Sequence, residues 1–405
     1  MEKRATAQPS APGLGRVSTL GADVMPNDDT TNAILTGQGP WRAIGLMSGT
    51  SMDGIDVALI ESDGEAKLSF GPTGFAPYDP ESRDLLRQAL ADAVSLQDRN
   101  ARPGVLADAE AMVTQRHGEA VERFLAEHDI DRSTVAVVGF HGQTVLHRPK
   151  QQLTVQIGDG AALARHVRLP VVYDLRAADV AAGGEGAPLV PVYHRALVEA
   201  NRMACPVVLL NLGGVANVTY VPGNGGEPIA CDTGPANALI DDLMLARTGE
   251  PIDRDGATAA RGTVDHAALA KLLDHPYFAL PPPKSLDRND FSRNAVEHLP
   301  TEDAAATLTA FTAASVARVL PLLPSRPQKI IVCGGGARNP TLLQELSRTT
   351  GCAVTTAEAC RWSADAIEAQ AFAYLALRSL RGLPLTFPGT TGVGQAMTGG
   401  VVARV

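Results

Sequence analysis

Short runs rich in Val, Ile and Leu, each closed by a cluster of Gly, Asn or Asp, alternate from Trp41 onward with long Ala/Leu/Arg/Glu segments at helical spacing. This alternation is the strongest constraint on the fold. Apolar runs of about 4–8 residues between turn residues read as buried strands, whereas longer stretches with apolar positions three and four apart read as amphipathic helices. Strands are expected at 43–46, 55–61, 135–140, 153–157, 171–173, 207–210, 215–221 and 329–332. Helices are expected at 81–93, 106–127, 187–199, 236–248, 265–273, 303–320, 341–348 and 365–381. Asp79 before Pro80 and Asn339 before Pro340 are cap-and-proline helix starts. The class is α/β.

A strand, glycine turn and second strand occur at 44–60 and again at 207–221, which suggests two similarly built lobes with a cleft between them. The length, 405 residues, accommodates two domains at roughly 100–200 residues each. Residues 1–40 lack periodicity and read as a disordered extension. The opening MEKRATAQPSAPGLG has no apolar core, so no secretory signal is expected, and Met25 is an alternative start. Thirty-five basic against 44 acidic residues give a net charge of −9 with no basic cluster, which argues against nucleic acid and anionic membranes. Five cysteines without a C-x-x-C spacing fit a reducing cytoplasm. Residues 203–226 carry no charge, but Pro206, Asn211, Gly213, Gly214 and Asn217 interrupt them, so they read as strand, turn and strand and not as a membrane span.

Three glycine turns carry the chemistry. In GLMSGTSMDGIDVALIE, residues 45–61, Ser48, Gly49, Thr50 and Ser51 offer hydroxyls and backbone N–H groups to an anion, Asp53-Gly54 permits a tight reversal, and Asp53 is placed to hold a magnesium-bound water. An ordinary hairpin has the same pattern. In VVLLNLGGVANVTYV, residues 207–221, Gly213-Gly214 lies between Asn211 and Asn217. Downstream, Asp232-Thr233-Gly234 stands at a strand end, followed by Pro235 at an expected first helical position, so Asp232 either caps that helix or faces the cleft as a base. In KIIVCGGGARNP, residues 329–340, Gly334, Gly335 and Gly336 leave room for a flat ligand such as adenine, or form a tight strand–helix connection.

Two polar segments sit in apolar surroundings. GFHGQTVLH, residues 139–147, offers His141, Gln143 and Thr144 to a sugar-like ligand, and its two histidines lack the third partner that zinc requires. Residues 173–191 place Asp174, Arg176, Asp179 and Glu185 around Gly183-Gly184, as a substrate loop or a surface salt-bridge loop does. P-loop, dinucleotide-binding and serine-hydrolase signatures are absent.

Taken in order, GTSMDGID, HGQT, DLRAADVAAGGEGAPL, NLGGVAN, DTGPAN, PKSLDR and VCGGGARNP resemble the anhydro-N-acetylmuramic acid kinases, within the acetate kinase, hexokinase, heat-shock chaperone and actin-like superfamily. The resemblance runs from about residue 42 to 392. It implies two ribonuclease-H-like lobes around an ATP cleft, with lobe I at 41–178 and lobe II at 179–405, the tail packing back on lobe I. It also implies ATP with magnesium, a cytoplasmic homodimer, and phosphorylation of 1,6-anhydro-N-acetylmuramic acid at O6 while water opens the anhydro bridge. The ATP-binding residues it implies are Gly49, Thr50, Ser51, Met52, Asp53, Gly54, Ile55 and Asp56, joined by Gly213, Gly214, Gly334, Gly335 and Gly336. Asp232 corresponds to the catalytic aspartate, and His141, Gln143, Arg176, Asp179, Asn211, Asn237 and Glu368 are the expected sugar contacts. The chain departs from the family pattern at Leu175, Ala177, Ala178, Glu185 and Ala236, where changed sugar contacts are expected. Two alternatives stay open: a kinase for another sugar or a carboxylate, and an actin- or chaperone-like ATP switch.

Overall fold

The computed structural model describes residues 39–49, 51–286 and 290–405. Thr50, and nearly all of the expected extension at 1–40, lie outside the described residues.

Two sheets repeat one topology. In the first, β1 (Trp41–Met47), β2 (Gly54–Ser62) and β3 (Leu68–Pro77) form an antiparallel meander, and β4 (Val135–Phe140) lies parallel to β1. The short β5 (Gln143–Arg148) and β6 (Leu153–Ile157) pair separately, and β7 (Val171–Tyr173) then adds parallel to β4. In the second sheet, β8 (Val207–Leu212), β9 (Val215–Val221) and β10 (Ile229–Pro235) make the meander, with β11 (Lys329–Cys333) and β12 (Ala353–Thr356) parallel beside β8. The orders β7-β4-β1-β2-β3 and β12-β11-β8-β9-β10 are therefore the same ribonuclease-H-like arrangement, and β13 (Val401–Ala403) extends the first sheet by pairing with β7. The uncharged stretch at 203–226 is indeed β8, a turn and β9.

Strand β4 is buried at all six positions, as a strand covered on both faces must be, and its residues VAVVGF are correspondingly apolar. The cover on one face is the helix Ile367–Leu380, which is apolar almost all round and shares a core with Ala43 and Val137 of the first sheet and Leu209 and Ile331 of the second. Two glycines admit it. A Cβ at Gly45 would lie 1.8 Å from the Ala369 carbonyl oxygen, and one at Gly139 would lie 2.0 Å from that of Phe372. The helix belongs by sequence to the second half of the chain and lies on the first sheet, which is how Glu368 in its first turn reaches the β1–β2 loop.

On the outer side of the second sheet, the stretch Thr301–Leu322 is long and apolar enough to cross a membrane, but 67% of its most apolar window is buried inside the protein. It is a core helix, packed with Val316 and Val319 against Val208, Leu210 and Ile330.

Three local expectations are corrected. Residues 187–190 are not helical, because the helix there begins with Pro191 at its first position and runs to Ala200. Pro235 is not the first helical residue: it ends β10, paired with Val215, and the helix starts at Asn237. Asp53-Gly54 is not the reversal either, since β1 ends at Met47, β2 begins at Gly54, and among the described residues between them Met52 is left-handed, with φ 53°.

Candidate active site

The loop at 48–53 is held by side chains from β5 and its approach. Ser48 Oγ donates to Gln143 Oε1 at 2.6 Å, and Gln143 Nε2 donates to the Gly49 carbonyl at 3.0 Å. His141 Nδ1 lies 3.2 Å from the Ser48 carbonyl, and Arg176 donates to His141 Nε2 at 3.2 Å. Ser51 Oγ donates to Asp53 Oδ1 at 2.6 Å.

Two adjoining cavities meet at this loop. The larger, about 680 Å³, brings together Ser51 and Asp53 from the first turn, Asn211 and Gly213 from the second, and Gly334 and Gly335 from the third. The smaller, about 460 Å³, is lined by Ser48, Gly49, His141, Gln143, Arg176 and Glu368 among others. Ser51 and Glu368 line both.

The turns differ in why they use glycine. Gly334 has φ +77°, and a Cβ there would lie 2.3 Å from Asn211 Oδ1, so the backbone itself demands glycine. Gly335 and Gly213 have open space around a Cβ, with nothing nearer than 3.6 Å. Their bareness matches the near approach of a ligand. Gly336 is buried against Leu212, and neither it nor Gly214 lines the cavity.

Several expected contacts are placed elsewhere. Met52 packs against the apolar cluster that contains Ile44, Leu46 and Leu86, and Gly54 and Ile55 are buried strand residues, Gly54 lying where a Cβ would strike the Ala76 carbonyl and the Phe75 ring. Asp179 is buried outside both cavities, accepting from the Gly186 N–H at 2.7 Å and from Thr391 Oγ1 at 2.7 Å, so it closes the 183–186 loop. Asn237 donates to the Leu212 carbonyl at 2.9 Å beside the glycine turns and lines neither cavity. Leu175 is buried in the core between the lobes, so that departure from the family pattern bears on packing.

Asp232 lies within β10, in register with Asn217 of β9, which in turn pairs with Asn211 of β8 and so with Cys333 of β11. Directly paired residues point to one face, so this row carries Asp232 to the edge of the cavity that the other three line. The carboxylate itself is not in the lining: Oδ2 accepts from the Leu286 N–H at 2.8 Å. Burial raises its pKa to about 6, the Leu286 bond opposing. At pH 7 the carboxylate is mostly ionised.

Charge in the cleft is lopsided. Asp56, which lines neither cavity, is raised to about 7, first by burial and then by Asp53, Glu368 and Asp365, which do line the larger one. Burial raises Glu368, with the Arg176 guanidinium opposing. Among the described residues no three His, Cys, Asp or Glu side chains converge as a metal cage. The oxygen donors nevertheless suit magnesium, which keeps several waters and completes its shell with phosphate.

His194, Thr219, Cys333 and Asp365 line the larger cavity, and His147 the smaller, although none of them is among the expected site residues. His194 is a buried helix residue 2.8 Å from Thr219 Oγ1, and an isolated histidine on a helix offers no sequence signal. Asn217, which flanks the second turn, lines the larger cavity, and Thr144 of the HGQT segment lines the smaller.

A family model described as anhydro-N-acetylmuramic acid kinase matches residues 41–404. Anhydro-N-acetylmuramic acid kinase of Nitrobacter winogradskyi is 60% identical over 363 residues, covering 89% of this chain and 99% of the relative. The proteins of that name from Bradyrhizobium diazoefficiens and Methylobacterium nodulans are 59% and 57% identical, covering 89% and 90% of this chain and 99% and 100% of their own.

Proposed function

The chain belongs to the anhydro-N-acetylmuramic acid kinase family, and on that premise we propose how its cleft works. The enzyme is a sugar kinase that phosphorylates 1,6-anhydro-N-acetylmuramic acid with opening of the anhydro bridge, giving N-acetylmuramic acid 6-phosphate in cell-wall recycling. One observation carries the assignment of the cleft: three turns far apart in sequence line the larger cavity, which takes ATP. Backbone N–H groups and hydroxyls of the first turn face the phosphates, and the bare Gly335 faces the adenosine. Phosphoryl transfer asks for positioning and charge neutralisation more than for covalent help.

Asp53, with the neighbouring Asp56, would hold hydrated magnesium, which supplies charge neutralisation on the triphosphate when bound. The sugar sits in the smaller cavity, with Arg176 and Glu368 on its wall, and reaches past the junction at Ser51 and Glu368 toward the edge of the larger cavity where the row of Asn211 and Asn217 brings Asp232. Asp232 orients a water and removes its proton as the water oxygen bonds to C1. The C1–O bridge bond breaks, its electron pair staying on O6, and O6 attacks the γ-phosphorus as the bond to the β–γ bridging oxygen breaks and ADP leaves with that electron pair, so O6 needs no base of its own. A carboxyl with a pKa of about 6 is ionised at pH 7 and basic enough for this work. The assembly in this reading is a cytoplasmic homodimer, and the free state of all five cysteines suits a reducing compartment.

The test is an acceptor assay in ¹⁸O water with magnesium and ATP. Sugar-dependent ADP release with label at C1 of the 6-phosphate is expected. Label in the phosphoryl group, or ADP release indifferent to the sugar, would overturn the mechanism.

A further inference from the structure

We propose that His141 is a positioning residue that orients the peptide joining Ser48 to Gly49, which lines the smaller cavity beside Ser51, where the two cavities meet and the γ-phosphate faces the sugar, and that it ties this peptide to Arg176 on the same wall. The inference rests on the kinase reading of the cleft. His141 is 6% exposed, with its ring centroid 4.7 Å from that of Phe372, so the imidazole has little freedom. Both nitrogens are engaged, Nδ1 with the Ser48 carbonyl and Nε2 with the Arg176 guanidinium. A guanidinium only donates, so Nε2 must present its lone pair, and the single ring proton is left on Nδ1, aimed at Ser48.

That proton fixes a backbone direction. In a planar trans peptide the C=O and the following N–H point opposite ways, so holding the Ser48 carbonyl against His141 turns the Gly49 N–H to the other side. The His141 backbone N–H donates to the Leu46 carbonyl at 3.2 Å, which anchors the ring to the end of β1 from which the loop departs. At the other end, Arg176 also donates to the Gly186 carbonyl at 2.8 Å. One chain of hydrogen bonds thus runs from the 183–186 loop through Arg176 and His141 to the first turn. With both nitrogens occupied, a sugar hydroxyl could reach His141 only by displacing one of these bonds.

Two substitutions divide the chain. Asparagine carries its amide nitrogen near the place of Nδ1, so His141→Asn keeps the donor to Ser48 and loses Arg176. Glutamine reaches the place of Nε2, so His141→Gln can accept from Arg176 and loses Ser48. Affinity for a non-hydrolysable ATP analogue is measured by calorimetry with and without the anhydro sugar, beside kcat and KM for each substrate. His141→Gln should weaken nucleotide binding about 3- to 10-fold, the worth of one hydrogen bond, and His141→Asn by less than about twofold. His141→Asn should instead abolish the tightening of nucleotide binding by sugar, which reciprocity makes equal to the tightening of sugar by nucleotide. Wild-type nucleotide binding in both variants, or a rise confined to the sugar KM in both, would overturn the proposal. Should the His141 variants fail to fold, Arg176→Lys gives the same test: lost coupling supports the relay, and intact coupling overturns it. Absence of sugar-dependent turnover in the wild-type protein would instead sink the kinase reading.

Discussion

The Leu286 N–H donates to Asp232 Oδ2 at 2.8 Å, so the carboxylate on β10 is steered by a segment 54 residues away in the chain. The same segment grips the Asp232 backbone, with Tyr277 Oη donating to its carbonyl at 2.8 Å and the Lys284 carbonyl accepting from its N–H at 2.9 Å. Held by its carboxylate and by its backbone, Asp232 is fixed in one orientation.

Asp232→Asn should therefore lower kcat by about 10²–10⁴, the usual worth of a positioned general base, with both KM values little changed. Turnover of the wild-type enzyme should fall as pH drops through about 6, where the carboxylate takes up its proton, and level off above it. The Asp232→Asn variant should lack that limb. Steady-state rates from about pH 5 to 8 check both expectations.

Asp56 gives a stability prediction with the opposite use of a raised pKa. In the folded chain it is raised from 3.8 to about 7, by burial first and then by its acidic neighbours. Below both values the group is neutral in either state and costs nothing. As pH rises between them, the unfolded chain has lost a proton that the folded chain still binds, so stability falls until pH passes about 7 and then stays lower. Asp56→Asn should match wild type in urea unfolding at about pH 4 and exceed it at about pH 8.

Gly45→Ala puts a methyl 1.8 Å from the Ala369 carbonyl oxygen, where only a shift of the helix Ile367–Leu380 makes room. Overpacking of this kind costs about 1–3 kcal/mol, read as a lower urea midpoint. Because Glu368 rides on that helix, activity should fall further than the unfolded fraction explains.

Gly334→Ala and Gly335→Ala separate backbone demand from ligand contact. The first adds a side chain at φ +77° and 2.3 Å from Asn211 Oδ1, and should lower the melting temperature. The second meets only Asn237 Nδ2 at 3.9 Å, and should melt like wild type while raising the ATP KM. Equal ATP KM in Gly335→Ala and wild type would remove the adenosine from this turn.

Legibility followed the range of the interactions. The glycine turns and the buried strands β4, β8 and β11 are written in local pattern, because an apolar run between turn residues has few folded fates. Asp232-Thr233-Gly234 reads as the end of a strand, but only pairing with β9 shows that the strand runs on to Pro235. Asp179 reads as a sugar contact, but bonds to Gly186 and to Thr391, 212 residues away, engage it outside both cavities, whereas Gln143 lines the smaller cavity while bound to Ser48 and Gly49.

By itself the amino-acid order determined the α/β class, the repeated lobe pattern, the turns and, through ordered motifs, the family, since these depend on neighbours a few residues apart or on the whole string. Tertiary structure decided which turn residues face the cavity, that Glu368 from the end of the chain joins the two cavities, and how burial sets Asp56 and Asp232. The reason is physical: orientation and ionisation depend on what is packed within a few ångströms, and packing joins residues that the chain keeps hundreds of positions apart.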